Sequence, residues 1–457
     1  MTVPEPIGSA GTQKVLDPGE GEGAVAPVGV FGAYKVKVAE KLFRARFGVP
    51  PDGVWLAPGR ANVMGEHTDY NEGYVLPFAL GQGVVAAAAR RTGSGARRLA
   101  LWSRQQQARK TDIDLDGLAP GQVTGWAAYP AGIAWALESA GYQVPGASIA
   151  IDSDVPAGAG LSSSAALECA AAVALTELAG VAIPRRELAE IARRAENEFV
   201  GVPSGIMDQS ASLLCQSGHA LLLDCRSLES SQVPFDPARA GSRLLLINTR
   251  ARHDLTAGQY GRRRAECEEA ARLLGIPSLR SLTDTGETDR LRDPILRRRA
   301  RHVVNDNQRV LDVTAILRSA SGDACPEIGR LLTQAHRSLR DDFEISWPEA
   351  DVAVETALTA GALGARMMGG GFGGSVLVLL REGTQDPVRA AVADAFARRS
   401  WTAPDFLDAV PSASARRLRL RRLLAHGTQN NTDIKRPVSA KPTRRYAARA
   451  GWLYSFT

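Results

Sequence analysis

The stretch Val155-Pro156-Ala157-Gly158-Ala159-Gly160-Leu161-Ser162-Ser163-Ser164-Ala165-Ala166 reads as a glycine-bearing turn that delivers three hydroxyls to the start of a long alanine-rich helix. Glycines let a backbone approach a ligand closely, and the free N–H groups and dipole of a helix start converge on the same point, so the stretch is built like a phosphate cradle. A helix that opens after a Gly/Ser turn is also common without any ligand. No G-x-x-x-x-G-K-[ST] sequence occurs in the chain, so this is not the loop of a P-loop enzyme.

Outward from this turn, helices are expected at 162–178, 185–199 and 204–215. Before it, an amphipathic helix over 33–47 precedes short strand-like runs at 54–57, 74–80, 84–90, 99–102 and 147–151, with one helix at 126–140. After it come strands at 220–223 and 244–248, then helices at 260–274, 296–318, 327–342 and 348–360. Strands and helices without a regular βαβ rhythm predict an α+β protein, and no solenoid repeat is present.

A second glycine-rich loop, Gly369-Gly370-Gly371-Phe372-Gly373-Gly374, satisfies G-x-G-x-x-G. A dinucleotide fingerprint needs a helix after the glycines, whereas Ser375-Val376-Leu377-Val378-Leu379-Leu380 reads as a buried strand. The Rossmann reading is therefore excluded, and no H-R-D or D-F-G sequence indicates a protein kinase. Taken alone, the loop is a tight turn where two backbones meet.

A third loop, Ala57-Pro58-Gly59-Arg60-Ala61-Asn62-Val63-Met64-Gly65-Glu66-His67-Thr68-Asp69-Tyr70-Asn71, places a forked donor suited to phosphate ahead of a dense group of acceptors and donors. Carboxylates that accept from neighbouring hydroxyls are a natural way to hold an uncharged sugar. On composition alone a solvated turn is an equal reading.

The net charge of +6 does not indicate a polyanion-binding protein, because residues 416–457 hold eleven Lys or Arg against Asp433 alone, a local +10 that leaves the rest near −4. Five scattered cysteines form no C-x-x-C pair, which argues against a disulfide framework or zinc site and fits a reducing compartment. The start of the chain lacks a signal-peptide pattern, and the apolar segment 165–183 carries Glu168 and Glu177, so it is expected to be a buried helix and the protein cytoplasmic. Residues 1–30 are expected to be a disordered leader and 419–457 a basic, mostly disordered tail, with a short helix around 416–424 as the exception.

Together the loops resemble the GHMP family of small-molecule kinases. The most specific segment, Gly59-Arg60-x-Asn62-x-x-Gly65-Glu66-His67-Thr68-Asp69-Tyr70-Asn71-x-Gly73, is similar to the signature of that family's galactokinase branch. Glu196-Asn197-Glu198-Phe199-Val200-Gly201, Gly205-Ile206-Met207-Asp208-Gln209 and Tyr260 ahead of Arg262-Arg263 extend the resemblance over about 85% of the chain, residues 31–418. It implies two domains: 31–228, like ribosomal protein S5 domain 2, and 229–418, ferredoxin-like, with the site between them. It also implies transfer of the ATP γ-phosphoryl group to the anomeric hydroxyl of galactose.

The implied roles fall on matching positions. Glu66, His67, Thr68, Asp69, Gly205 and Tyr260 would hold the sugar. Gly158, Ala159, Gly160, Leu161, Ser162, Ser163 and Ser164 would bind ATP, with Ser103 as a peripheral contact. Ser164 and Glu196 would hold Mg²⁺, and Asp208 and Arg60 would stand at the transferring group. The elementary chemistry agrees, since phosphoryl transfer needs an oriented hydroxyl, a bridging metal and positive charge beside the developing anion.

Met368 stands where the family usually has a hydroxyl residue, and Asn248 where it often has Asp. The rival readings are a kinase for N-acetylgalactosamine or arabinose and a non-catalytic galactose sensor. The intact Ser162-Ser163-Ser164 and Asp208 argue against the sensor, and the Glu66-His67-x-Asp69 cluster favours galactose. A monomer is expected, without specific nucleic-acid binding.

Overall fold

The alanine-rich segment after the first loop is apolar on almost every side, Glu168 being the exception in its middle, and a helix of that kind is stable only inside a protein. The computed structural model describes residues 30–106, 110–156, 158–251, 256–319 and 323–419. Helix α1 (Val30–Phe47) precedes strands β1 (Gly53–Asn62), β2 (Tyr74–Val75), β3 (Pro77–Arg90), β4 (Arg98–Ser103) and β5 (Thr111–Asp114). Helix α2 (Ala128–Ser139) and strand β6 (Ala147–Ser153) lead to α3 (Ser163–Ala179), α4 (Arg185–Arg194) and α5 (Met207–Leu214). Strands β7 (His219–Asp224), β8 (Ser230–Pro234) and β9 (Ser242–Asn248) are followed by helices α6 (Thr256–Leu274), α7 (Pro294–Arg318), α8 (Cys325–Asp341) and α9 (Pro348–Thr359). The chain closes with β10 (Gly364–Met368), β11 (Ser375–Arg381), α10 (Gln385–Ala397), β12 (Asp405–Ala409) and β13 (Arg416–Leu418).

Residues Ala165 to Thr176 of α3 are all buried, and the helix packs against β1, β3, α2 and α5. The first sheet runs β13-β1-β3-β6-β4-β5. Its period-two alternation separates two cores. Trp55, Ala57, Ala86 and Ala88 face the α3 layer, while Val54, Leu56, Val85 and Ala87 face Val36, Ala39 and Phe43 of α1. A second, wholly antiparallel sheet runs β10-β11-β9-β12, and a third, β2-β7-β8, is smaller. This is the expected two-domain α+β architecture.

The differences are local. The single run expected at 74–80 divides between two sheets, because Tyr74 and Val75 pair with β7 while the chain from Pro77 pairs with β1. The helix expected at 185–199 is α-helical only to Arg194 and continues as a π turn, Ala195–Val200. Instead of a helix at 416–424, Arg416–Leu418 is a strand paired with Leu56, Trp55 and Val54. Leu418 is buried against α1, and the i, i+2 spacing of Leu418 and Leu420 suits a strand as well as a helix. Residues beyond 419, and 1–29, lie outside the described residues, so the expected tail and leader do too.

The expected division at 228/229 falls in the turn between β7 and β8, and β13 returns the chain's last described strand to the first sheet. Among the described residues no helix is long and apolar enough to cross a membrane, and all five cysteines are free.

Candidate active site

The three loops meet. The pairing of β1 with β3 shifts register between Pro58 and Arg60, a bulge that re-aims the Arg60 side chain. A Cβ on Gly59 would lie 2.6 Å from the Leu161 carbonyl oxygen, so only glycine lets β1 approach the 155–166 loop this closely. Arg60 Nε and Nη2 donate to the two oxygens of Asp208 at 2.8 and 3.1 Å, and Nη1 donates to the Gly160 carbonyl at 2.6 Å. The Ser162 hydroxyl also donates to Asp208 Oδ2. Asp208 lies in the first turn of α5, and its side chain keeps 26% of its exposure against 7% for Arg60. Burial alone would lower the Arg60 pKa, but Asp208 and Glu66 outweigh it and raise it, so the guanidinium is a fixed positive charge.

Asp69 and Gly205 fit each other, since a Cβ on Gly205 would lie 1.8 Å from Asp69 Oδ2. Burial, and then the charge of Asp208, push the Asp69 carboxyl up to about 6. Tyr260 on α6 belongs to the same group: its ring centroid is 5.1 Å from that of His67 and 5.7 Å from that of Tyr70, and burial with the nearby charges of Asp69 and Asp208 raises its hydroxyl well above the ordinary range.

Three of the residues expected to hold the sugar also have protein partners. Glu66 is 2% exposed; its Oε1 accepts from the Gly369 N–H at 2.9 Å and lies 2.8 Å from Arg366 Nη2, an ionic contact without hydrogen-bond alignment. Burial raises its carboxyl, and Arg366 and Arg60 oppose only part of that. His67, with φ +60°, uses both ring nitrogens: a carbonyl can only accept, so Nε2 donates to Gly370 O at 3.2 Å and Nδ1 accepts from the Tyr70 hydroxyl at 2.7 Å. Burial lowers this imidazole to about 3, so it is neutral. The Thr68 hydroxyl donates to the Tyr74 carbonyl at 2.7 Å. His67 and Thr68 thus brace the loop, and the half-buried Asp69 accepts from the Tyr70 N–H at 3.0 Å.

Ser162, Ser163 and Ser164 stand half-buried at the N-terminus of α3, where N–H groups and dipole favour an anion. Glu196, whose carboxyl the neighbouring Ser164 hydroxyl helps to lower, accepts from Ser204 Oγ at 2.5 Å and from Gln209 Nε2 at 2.8 Å. These partners are all neutral, and burial raises the Glu196 carboxyl, the state of an acidic oxygen that a cation would complete. A hydroxyl and a carboxylate are the hard oxygen donors Mg²⁺ takes, so the donor set fits that ion. Ser103, at the end of β4, bonds Gln105 at 3.4 Å and pairs in register with Ile151 of β6, the strand that feeds the 155–166 loop.

The glycine-rich loop after β10 joins the other two. Gly369 and Gly370 hold Glu66 and His67, while the Ser375 hydroxyl donates to the Ala159 carbonyl at 2.7 Å. Met368 is fully buried in an apolar cluster, so its place is in packing.

Several residues that sequence reading passed over hold this assembly. Arg366, fully buried, also donates to the Val63 and Met367 carbonyls, and it was visible as the one charge in the apolar run Gly364–Met368. On α7, Asp306 accepts from the Glu66 N–H at 2.9 Å, Asn307 from the Tyr74 N–H at 2.8 Å, and His302 bonds the Glu66 carbonyl at 3.1 Å. Their spacing of four and five residues on one helix was the available signal.

Family models match three segments: the GHMP kinases N terminal domain over residues 128–216, the galactokinase galactose-binding signature over 41–90, and the GHMP kinases C terminal over 323–398. The galactokinase of Streptomyces coelicolor is 50% identical over 380 residues, 82% of this chain and 97% of that protein. The crystal structure of Lactococcus lactis galactokinase complexed with galactose superposes with a TM-score of 0.78 at 32% identity, covering 84% of this chain and 99% of that one. A mevalonate kinase from Methanococcus jannaschii, at 15% identity and a TM-score of 0.56 over 78% of this chain and 98% of its own, shares the fold.

Proposed function

The chain belongs to the galactokinases of the GHMP kinase family, and on that premise we propose how its residues transfer the γ-phosphoryl group of ATP to the anomeric hydroxyl of galactose. The observation that carries the reading is the Asp208 carboxylate, gripped by two of the three Arg60 guanidinium nitrogens and by Ser162, beside Asp69 and Tyr260.

Asp69, with room made by Gly205, accepts from sugar hydroxyls, and the Tyr260 ring closes the same side. Glu66 acts from behind, fixing the loop through Arg366 and Gly369. With the sugar so held, Asp208 takes the proton of the anomeric hydroxyl, the freed oxygen forms a bond to the γ-phosphorus, and the bond to the ADP oxygen breaks. Arg60 and the N-terminus of α3 present positive charge to the transferring group, already oriented before reaction. Ser162 through Ser164 and the glycine turn 158–160 cradle the phosphates. Ser164 and Glu196 would hold Mg²⁺, which would neutralise charge on the phosphates. Every assigned residue comes from one chain, so a monomer suffices.

A coupled assay of ADP release with galactose, glucose, N-acetylgalactosamine and arabinose tests the reading. ADP release should depend on galactose and be weaker with the other three. Sugar binding without any ADP release would make the protein a sensor, and preference for another sugar would change the substrate.

A further inference from the structure

Behind the cation site lies a second carboxylate to which no role has been given. Glu168 is fully buried on α3, one turn beyond Ser164, and Gln209 is fully buried on α5, next to Asp208. The Gln209 amide nitrogen donates to Glu168 Oε2 at 3.0 Å and to Glu196 Oε2 at 2.8 Å, so both of its hydrogens are used on carboxylates. The opposite orientation of the amide would turn its oxygen toward the Glu196 carboxylate, which fixes the assignment. Gln209 and Ser204 both end on Oε2 of Glu196, leaving Oε1 free of them.

We propose that Gln209 and Glu168 are a positioning pair for the Mg²⁺ carboxylate: Gln209 locks the rotamer of Glu196 through one oxygen, and Glu168 locks Gln209. The proposal rests on Glu196 being a Mg²⁺ ligand. Two buried oxygens, Glu168 Oε1 and Gln209 Oε1, have no hydrogen-bond partner, and both are acceptors as drawn. A proton on Glu168 would give this pair the donor it lacks. Burial, followed by the charge of Glu196, raises the Glu168 carboxyl well above its ordinary range. The site then carries one acidic charge rather than two, so Glu168 braces the ligand without competing for the cation.

The test uses the full chain with galactose and a non-hydrolysable ATP analogue, titrated with Mn²⁺ and followed by electron paramagnetic resonance, with galactose affinity measured separately by calorimetry. Gln209→Met and Glu168→Leu should weaken Mn²⁺ binding by roughly 10- to 100-fold, the usual effect of removing a partner of a metal ligand, while galactose affinity holds. Glu168→Gln, which keeps the acceptor and carries the donor permanently, should bind Mn²⁺ like the native protein. Unchanged Mn²⁺ affinity in the two apolar variants overturns the proposal, as does an equal loss of galactose affinity. If those variants do not fold, Glu168→Gln decides, because a loss of tenfold or more there (about 1.4 kcal/mol) means that Glu168 acts as a charge. Glu196→Ala separates the premises: if it leaves Mn²⁺ binding intact, the ligand assignment itself fails.

Discussion

Asp208 is held by three donors, so replacing its carboxylate with an amide should leave the fold in place and remove the proton acceptor. Asp208→Asn is expected to keep galactose binding and lower kcat by roughly 10²- to 10⁴-fold, the range for losing a general base. Near-native turnover in a folded variant would sink the assignment. Asp69 gives a pH signature. Its folded value of about 6 lies above the ordinary 3.8, so its ionised form costs the sugar-free protein stability above pH 6, and that cost is relieved as pH falls through 6. Galactose binding calls on the ionised acceptor and runs the other way: KM should rise as pH drops through about 6, and Asp69→Asn should abolish the inflection. A flat native profile counts against this role. Glu66 differs from its neighbour in kind. Glu66→Ala deprives fully buried Arg366 of its counter-charge and should cost stability first, on the order of 3 kcal/mol in denaturant unfolding. An unchanged unfolding midpoint with galactose affinity alone reduced would show that Glu66 faces the sugar instead. Asp208, Arg60 and Asp69 could be singled out in the sequence because they fall in the segments 59–73 and 205–209 that carry the family resemblance. Arg366 and Glu168 were not, since their meaning depends on which distant group meets a charge inside the protein.

At the scale of elements, the glycine loop after β10 matters as a joint. Ser375 is its firmest tie to the phosphate turn, and Ser375→Ala removes one hydrogen bond to the Ala159 carbonyl. Such a bond contributes about 0.5 to 1.5 kcal/mol, so the KM for ATP should rise by roughly 2- to 12-fold while that for galactose holds. Equal changes in both would mean that the loop supports the whole site rather than the phosphate turn. Sequence order sufficed to read this loop as a turn entering a strand, because an apolar hexamer cannot open an amphipathic helix. The π turn at Ala195–Val200 was beyond such reading: nothing in Ala195-Glu196-Asn197-Glu198-Phe199-Val200 marks a break from the preceding helix, and the widened turn that carries Glu196 packs against α2.

At the scale of the whole molecule, the basic charge and the catalytic body are separable along the chain. Deleting 426–457 should leave turnover and Tm nearly unchanged, whereas deletion from 416 onward strips β13, exposes the edge of β1 and uncovers the Leu418 site on α1. Losing that leucine alone costs about 1.5 to 3 kcal/mol, so the longer truncation should lower Tm clearly. Equal stability of the two truncations would show that β13 is dispensable. Sequence reading reached the two-domain plan but not this closure, because three residues of strand carry little signal until their partner is known. The strand that finishes the first sheet is made last. During translation β1 and β3 emerge early, yet the outer row of hydrogen-bonding groups on β1 stays open until residues 416–418 have left the ribosome. Throughout that interval a nascent chain presents an unpaired edge to other nascent chains, so crowded polysomes and stalled or prematurely terminated products are where this protein is most exposed to edge-to-edge aggregation.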